Sequence, residues 1–355
     1  MLNRLIAFKK KLVEKQLDAM MVTNPRNIRY LSGFTGTSGA LLITCQAQYL
    51  ITDFRYTEQA RLQSSDFELV KANESYPKTI KNIAEDLNLA SIGFEENHLV
   101  FKTYEVYLQT LKPLFFMPAS QIIDSLRVIK DKEEIALLSK AAELADNAFS
   151  HILLFIKPGV AEMDLALELE FFLKKNGAQA KAFDFIVASG QRGALPHGVA
   201  TEKTINHQEL ITMDFGCVLQ GYCSDMTRTV VLGEPSPKQR EIYDIVLKAQ
   251  KKGLRVLQEG ISCHHVDYSS RSIIDKAGYG AHFGHSLGHG VGMDIHEEPR
   301  LAAGNEQVLK AGMVVTVEPG IYIPGWGGIR IEDMVIIEKD GINILTNSCK
   351  ELMVL

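Results

Sequence analysis

Long apolar runs are missing from this 355-residue sequence, and no stretch approaches the roughly 20 residues that a membrane-spanning helix needs. Cysteine is scarce as well. The five present, Cys45, Cys217, Cys223, Cys263 and Cys349, are odd in number and include no CxxC pair. That argues against a disulfide framework or a structural zinc cluster and suits a reducing cytoplasm. Basic charge is not in excess: 38 Lys and Arg against 43 Asp and Glu give a formal net charge of -5. Nucleic acid is therefore not an expected partner. The amino terminus, MLNRLIAFKKKLVEKQLDAMMV, lacks the basic head and uninterrupted apolar core of a signal peptide. Its lysines interleave with apolar residues at helical spacing, as on a surface helix. What is present, 46% apolar and 23% charged residues, is the composition of a soluble globular protein long enough for two domains.

The first third alternates short apolar runs with amphipathic stretches. Residues 41–44, 48–52, 67–72 and 91–96 read as strands, and residues 55–63, 77–87 and 102–111 as helices. This is an α/β domain over residues 1–125. The charged segment RVIKDKEE (127–134) then leads into a long Ala- and Leu-rich helix, which opens a second domain over 126–355.

The second domain contains one pattern twice, 101 residues apart. A helix through Ala141 to Phe155, the turn Pro158-Gly159-Val160 and a helix from Glu162 to Lys175 ending at Gly177 are followed by their counterparts. These are a helix through Ile242 to Leu257, the turn Glu259-Gly260-Ile261 and a helix from His264 to Lys276 ending at Gly278. Each copy runs on into a strand pair carrying two acidic residues. An internal duplication predicts two related halves with a cleft between them.

In ITMDFGCVLQGYCSDMTRTVVL (211–232), apolar and β-branched flanks surround a turn that we centre on Leu219-Gln220. That register puts Asp214 directly across from Asp225. Opposed carboxylates within about 5.5 Å on one sheet face repel each other unless a cation lies between them. In MVVTVEPGIYIPGWGGIRIEDMVIIE (313–338), a turn at Pro324-Gly325-Trp326 places Glu318 across from Glu332. An unpaired buried carboxylate costs several kcal/mol, whereas four carboxylates around two divalent ions approach neutrality. Between the hairpins, GHSLGHGVGMDIHEEPR (284–300) crowds His285, His289 and His296 among glycines, which let backbones approach closely. His197 in ALPHGVA (194–200) holds the matching place in the first half. Arg330, two residues before Glu332 and on its face, is placed to pin a carboxylate that bridges two cations or to meet substrate.

These segments resemble the pita-bread metallopeptidases: methionine aminopeptidase, aminopeptidase P and prolidase. The resemblance covers the whole second domain, and MDFG, CSDMTRT, GHGVG, VEPG and RIED carry it. It implies an α+β pita-bread catalytic domain with a pseudo-two-fold duplication, behind the α/β N-terminal domain. It also implies a pair of divalent metal ions, manganese above all, with cobalt, zinc or iron as other occupants of a carboxylate-rich site. Asp225 and Glu332 would bridge the ions, Asp214 would complete one coordination sphere, and His289 with Glu318 the other. A shared water of lowered pKa would be the nucleophile and Glu318 its base, with His197 and His296 donating hydrogen bonds to the carbonyl under attack.

Within the family, NIRYLSGFTG (27–36) and LITDFRYTEQA (50–60) resemble the N-terminal domain of bacterial Xaa-Pro peptidases. That domain is generally absent from methionine aminopeptidases, and creatinase, which has it, lacks the metal ligands. The expected activity is therefore removal of the first residue from peptides with proline second. A dipeptidase restricted to Xaa-Pro is the alternative, and an inactive pita-bread binding protein is the alternative of another class. His285, Arg300 and Arg330 are candidate substrate contacts, Arg300 for a dipeptide's terminal carboxylate. Relatives suggest a homodimer.

Overall fold

Leu5, Phe8 and Leu12 recur at helical spacing, and the helix Leu2–Glu14 buries that stripe. The structure, a computed structural model, describes residues 2–355 and divides into units Met1–Arg127 and Val128–Leu355. The division falls just after the expected one because the helix Gln121–Arg127 continues past residue 125. Its Arg127 donates to Asn27 of the same unit at 2.8 Å.

The first unit is built on β1 (Ala19–Val22), β2 (Ala40–Thr44), β3 (Gln48–Thr52), β4 (Glu68–Lys71), β5 (Ser91–Phe94) and β6 (Phe115–Pro118), in the order β4-β3-β2-β1-β5-β6. The β1–β2 and β2–β3 pairs are antiparallel and the other three are parallel. Strands β2 to β5 and the helices Thr57–Gln63, Tyr76–Asp86 and Phe101–Leu111 fall on the expected segments. Sequence reading did not pick out β1, β6 or the helix Pro25–Ser32. Strand β1 is buried throughout, so it shows no alternation. The helix has readable signals: Asn24 caps its start, proline follows, and Gly33 ends it in the left-handed region.

In the second unit, helices Lys132–Ile152 and Glu162–Lys175 are repeated as Pro237–Val256 and Cys263–Lys276. The second helix of each pair begins and ends at the same 101-residue offset, and Gly159, Gly177, Gly260 and Gly278 all adopt positive φ. The strands repeat too. Ile186–Ser189, Leu210–Phe215 and Met226–Val231 form one antiparallel ladder. Gly288–Gly290, Val314–Val317 and Asp333–Glu338 form its counterpart, extended at its edges by Glu297–Leu301 and Gly341–Ile344. One apolar cluster, with Leu165, Leu169 and Met213, lies under the first ladder, and a second, with Val266, Ile274 and Val315, under the other. Each half therefore has its own core.

The hairpin registers differ from expectation in one case. The second is as read: Val317 faces Asp333 and Gly320 faces Arg330, so the strands come into register on either side of Glu318 and Glu332. The first is corrected. Leu219 pairs with Tyr222, which moves the turn to Gln220-Gly221, and Asp214 lies opposite Thr227 instead of Asp225. Gln220 and Gly221 have φ of 47° and 84°, the two left-handed residues of the tight hairpin turn whose twist matches its strands. A slip of two residues preserves the alternation of faces. Asp214 and Asp225 accordingly remain on one face, set diagonally.

Candidate metal centre

Asp214 is the last residue but one of a strand of the first ladder, Leu210–Phe215, and Asp225 lies just before the partner strand begins. Glu318 and Glu332 occupy the matching break in the second half, where the ladder through Val317 and Asp333 gives way to the hairpin through Gly320 and Arg330. His289 enters on the short strand Gly288–Gly290. A Cβ on Gly288 would sit 2.0 Å from Thr316 O, and one on Gly290 would sit 2.3 Å from Glu298 O. Only glycine permits this backbone contact on both sides of the histidine.

The ligand atoms converge. Asp225, His289 and Glu332 each present one within 4.8 Å of the others, and His289 Nε2 lies 3.3 Å from Glu318 Oε1 and 3.5 Å from Asp225 Oδ2. The other ring nitrogen, Nδ1, is 3.0 Å from Gly290 O. A proton on Nδ1 satisfies that carbonyl and turns the Nε2 lone pair toward the carboxylates. Asp214, Asp225, Glu332 and His289 are all buried.

The electrostatics are those of an acid cluster short of cations. Burial and the neighbouring Glu332 and Asp214 push the Asp225 carboxyl well above its ordinary range. Burial, with Glu318 and Asp214, does the same to Glu332, and burial raises Asp214 against the pull of Arg330. Glu318 goes the other way: burial works to raise it, but its hydrogen bond to His289 and the charge there bring it to about 2. Burial works to lower His289, but its bond to Glu318, the negative charge there and its bond to Gly290 O together raise it. Asp214 Oδ1 and Glu332 Oε1 are buried with no hydrogen-bond partner among the described residues. Native proteins rarely leave such atoms orphaned. An all-carboxylate and imidazole set with free buried oxygens fits divalent cations, which would satisfy those atoms and reverse the repulsion.

The remaining oxygens are fixed. Arg330 Nη2 donates to Asp214 Oδ2 at 2.7 Å, its Nε to Thr227 Oγ1 at 3.0 Å, and its Nη1 to Pro196 O at 3.1 Å and Tyr322 Oη at 2.7 Å. The expected partner of Arg330 is a bridging carboxylate, Asp225 or Glu332, or substrate; it pairs instead with Asp214, the acid expected to complete one coordination sphere. Thr227 Oγ1 passes a hydrogen bond on to Glu332 Oε2 at 2.7 Å, and Thr316 Oγ1 holds Glu318 Oε1 at 3.0 Å.

The histidines occupy different settings. His296 is exposed, with its ring centroid 4.3 Å from that of His289, and burial of part of the ring together with His289 lowers its pKa. His285 is half-buried, bonded through Nε2 to Tyr322 Oη at 2.9 Å and through Nδ1 to Ser286 O at 2.8 Å. It shares with Ser286 and Arg300 the lining of a cavity of about 810 Å³. Arg300 is exposed, its Nη2 3.5 Å from Ser286 Oγ. His197 is exposed on the loop after Gly190–Ala194. Sequence reading missed Thr227 and Tyr322. The second hairpin's register already places Tyr322 on the face of Arg330, whereas Thr227 emerges only when the first register is corrected.

Residues 136–339 match metallopeptidase family M24, and residues 4–129 match the creatinase/prolidase N-terminal domain. A Pyrococcus furiosus protein named Xaa-Pro dipeptidase is 41% identical, over 99% of this chain and 100% of its own. The solved structure of the Xaa-Pro dipeptidase from Bacillus anthracis aligns with a TM-score of 0.97 and 45% identity, over 100% of this chain and 99% of that one. That of the X-Pro aminopeptidase from Thermotoga maritima aligns with a TM-score of 0.91 and 36% identity, over 96% of this chain and 98% of that one.

Proposed function

This chain belongs to metallopeptidase family M24, and from that premise we propose that it removes the amino-terminal residue from peptides whose second residue is proline. The observation that carries this reading is the convergence of Asp225, His289 and Glu332 with orphaned oxygens on Asp214 and Glu332. Asp214, Asp225, His289, Glu318 and Glu332 would hold two divalent ions, manganese by preference. When bound, such a pair supplies Lewis acidity and a hydroxide near neutral pH.

The chain's own groups account for the rest. Glu318 is held by Thr316 and takes the proton of the attacking water. His197 and His296, outside the ligand set, donate hydrogen bonds to the carbonyl oxygen as charge develops there. Proline's amide has no N–H and its ring fixes φ, so a dedicated site is required. Peptides are the partners of this reading, in the cytoplasm and with a homodimer as the assembly. Among the described residues no helix is long and apolar enough to cross a membrane.

Arg300 favours a second reading, an Xaa-Pro dipeptidase. Its exposed guanidinium beside His285 in the cavity is suited to a free carboxylate on proline, a group that longer peptides do not offer there. Hydrolysis of Ala-Pro and Ala-Pro-Ala with added manganese tests both. For a dipeptidase, Arg300→Ala should lower kcat/KM on Ala-Pro roughly thirtyfold through loss of a charge-assisted pair. For an aminopeptidase, Ala-Pro-Ala is cleaved well and the substitution affects both lengths equally. Cleavage of neither, with metal bound, would refute the activity.

A further inference from the structure

His197 sits on an exposed loop held by local turn bonds and by a backbone bridge from Val199 to Ile186, yet a group that touches a carbonyl in the transition state must be held to within about half an ångström. The structure adds two attachments through arginine side chains, one on each side of the imidazole. On the amino-terminal side Pro196 O accepts from Arg330 Nη1 at 3.1 Å, and Arg330 is paired with Asp214. On the carboxy-terminal side Val199 O accepts from Arg192 Nη2 at 2.9 Å. Arg192 in turn pairs through Nη1 with Glu162, at the start of the helix Glu162–Lys175.

Glu162 is fully buried, and its partners are concentrated on this loop. Its Oε1 accepts from Ser189 N and Oγ, both at 2.8 Å. Its Oε2 accepts from Arg192 and from Thr201 N at 3.3 Å and Oγ1 at 2.9 Å. One carboxylate thus gathers the residue before the loop, the residue after it and the arginine that reaches its middle. A carboxylate is not needed there for the helix start, since the corresponding position in the second half is Cys263, whose N–H bonds Gln307 O as that of Glu162 bonds Lys203 O. The duplication therefore preserves the backbone contact while the first half alone has the acid.

We propose that Glu162 and Arg192 are positioning residues for His197, which hangs between two guanidinium groups, one anchored on a buried carboxylate and the other on Asp214. The proposal rests on the reading of His197 as a substrate contact. It assigns the clamp to the turnover step, because misplacing a hydrogen-bond donor at the carbonyl weakens the transition state more than the bound substrate.

The test uses the full-length, metal-loaded protein. Arg192→Lys keeps a positive charge for Glu162, and so keeps the fold, but a single ammonium cannot span Glu162 and Val199 O as the guanidinium fork does. Its kcat on Ala-Pro should fall about tenfold or more, with KM changed less than about threefold and metal content as in the wild type. Hydrogen exchange of the amides in residues 195–199 should quicken. Arg192→Gln should be worse than Arg192→Lys. In a His197→Ala background, assayed at raised enzyme concentration, Arg192→Lys should have no further effect on kcat. The same loss in both backgrounds, or an unchanged kcat despite faster exchange, would overturn the clamp. A His197→Ala variant with wild-type kcat would instead remove the substrate role from His197, a separate failure. Glu162→Gln adds a check wherever it folds, expected to match Arg192→Gln.

Discussion

The two halves of Val128–Leu355 share helices, turns and ladders in the same order, yet their acid pairs differ in kind and in support. The first half contributes aspartates on a hairpin closed by Gln220-Gly221, and the second contributes glutamates where one ladder breaks into another. Each half also holds the other's residues in place. Arg330, from the second half, pairs with Asp214 of the first. Thr227, from the first, bonds Glu332 of the second. Fully buried Arg228 of the first half pairs with Asp333 beside Glu332 at 2.9 Å and donates to Glu332 O. Duplication gives the backbone frame, while the centre exists only where the two copies have diverged to brace one another.

The largest effect expected from breaking that comparison is at the two acids read as shared by both ions, one from each half. Asp225→Ala and Glu332→Ala should each lower kcat/KM on Ala-Pro at least about a thousandfold and empty the site after dialysis, because in the proposed centre each would serve both cations. Equal losses would support equivalent halves. Two retained metals and near-normal turnover in either variant would show that residue not to be a ligand.

Next come the arginines that cross between halves. Arg330→Met should destabilise the fold by about 3–5 kcal/mol in urea titrations, since it leaves the buried Asp214 carboxylate without its cation, whereas Arg228→Met should cost less because Asp333 keeps Lys350, Gln250 and Thr346. Only Arg330→Met should also weaken metal binding, as its partner Asp214 is in the proposed ligand set. Similar metal affinities in the two variants would remove the asymmetry.

The smallest expected effect is on the pH dependence of the metal-free protein. Asp214, Asp225 and Glu332 have folded pKa values above the ordinary 3.8 and 4.5, so the folded state binds more protons than the unfolded one as pH rises beyond those values. Stability then falls with rising pH. His289, raised by Glu318, adds stability below 6.5 that is lost as pH climbs through its folded value. Glu318, held at about 2, contributes a constant amount across this window. The Tm of chelated protein should drop by on the order of 5 °C between pH 5 and pH 8, and added manganese should abolish the drop. A chelated Tm that rises over that range would contradict the raised carboxylates.

Much of this was legible in the sequence. Alternation fixes the face on which each strand residue lies, so the strand pattern alone groups Asp214 with Asp225 and Glu318 with Glu332. The grouping survives the register error because a slip of two residues preserves the face. The repeated helices were readable because Gly159, Gly177, Gly260 and Gly278 mark their turns and ends. Strand Ala19–Val22 was not, since a short run buried on both sides carries no period.

The sequence by itself determined the two-domain layout, the duplicated frame and the types of side chain that could bind metal, because these follow from local periodicity, turn residues and motif chemistry. Tertiary structure decided the turn at Gln220-Gly221, where a non-glycine residue accepts a left-handed φ of 47° so that both strands can be buried. It also decided the pairing of Arg330 with Asp214 and of Arg192 with Glu162, and the orphaned oxygens left facing the centre. Arg330 and Asp214 stand 116 residues apart in the chain, and no local pattern links them. Their contact depends on how the two halves pack, and burial then makes that contact matter, because a charge withdrawn from water must find its partner in the fold.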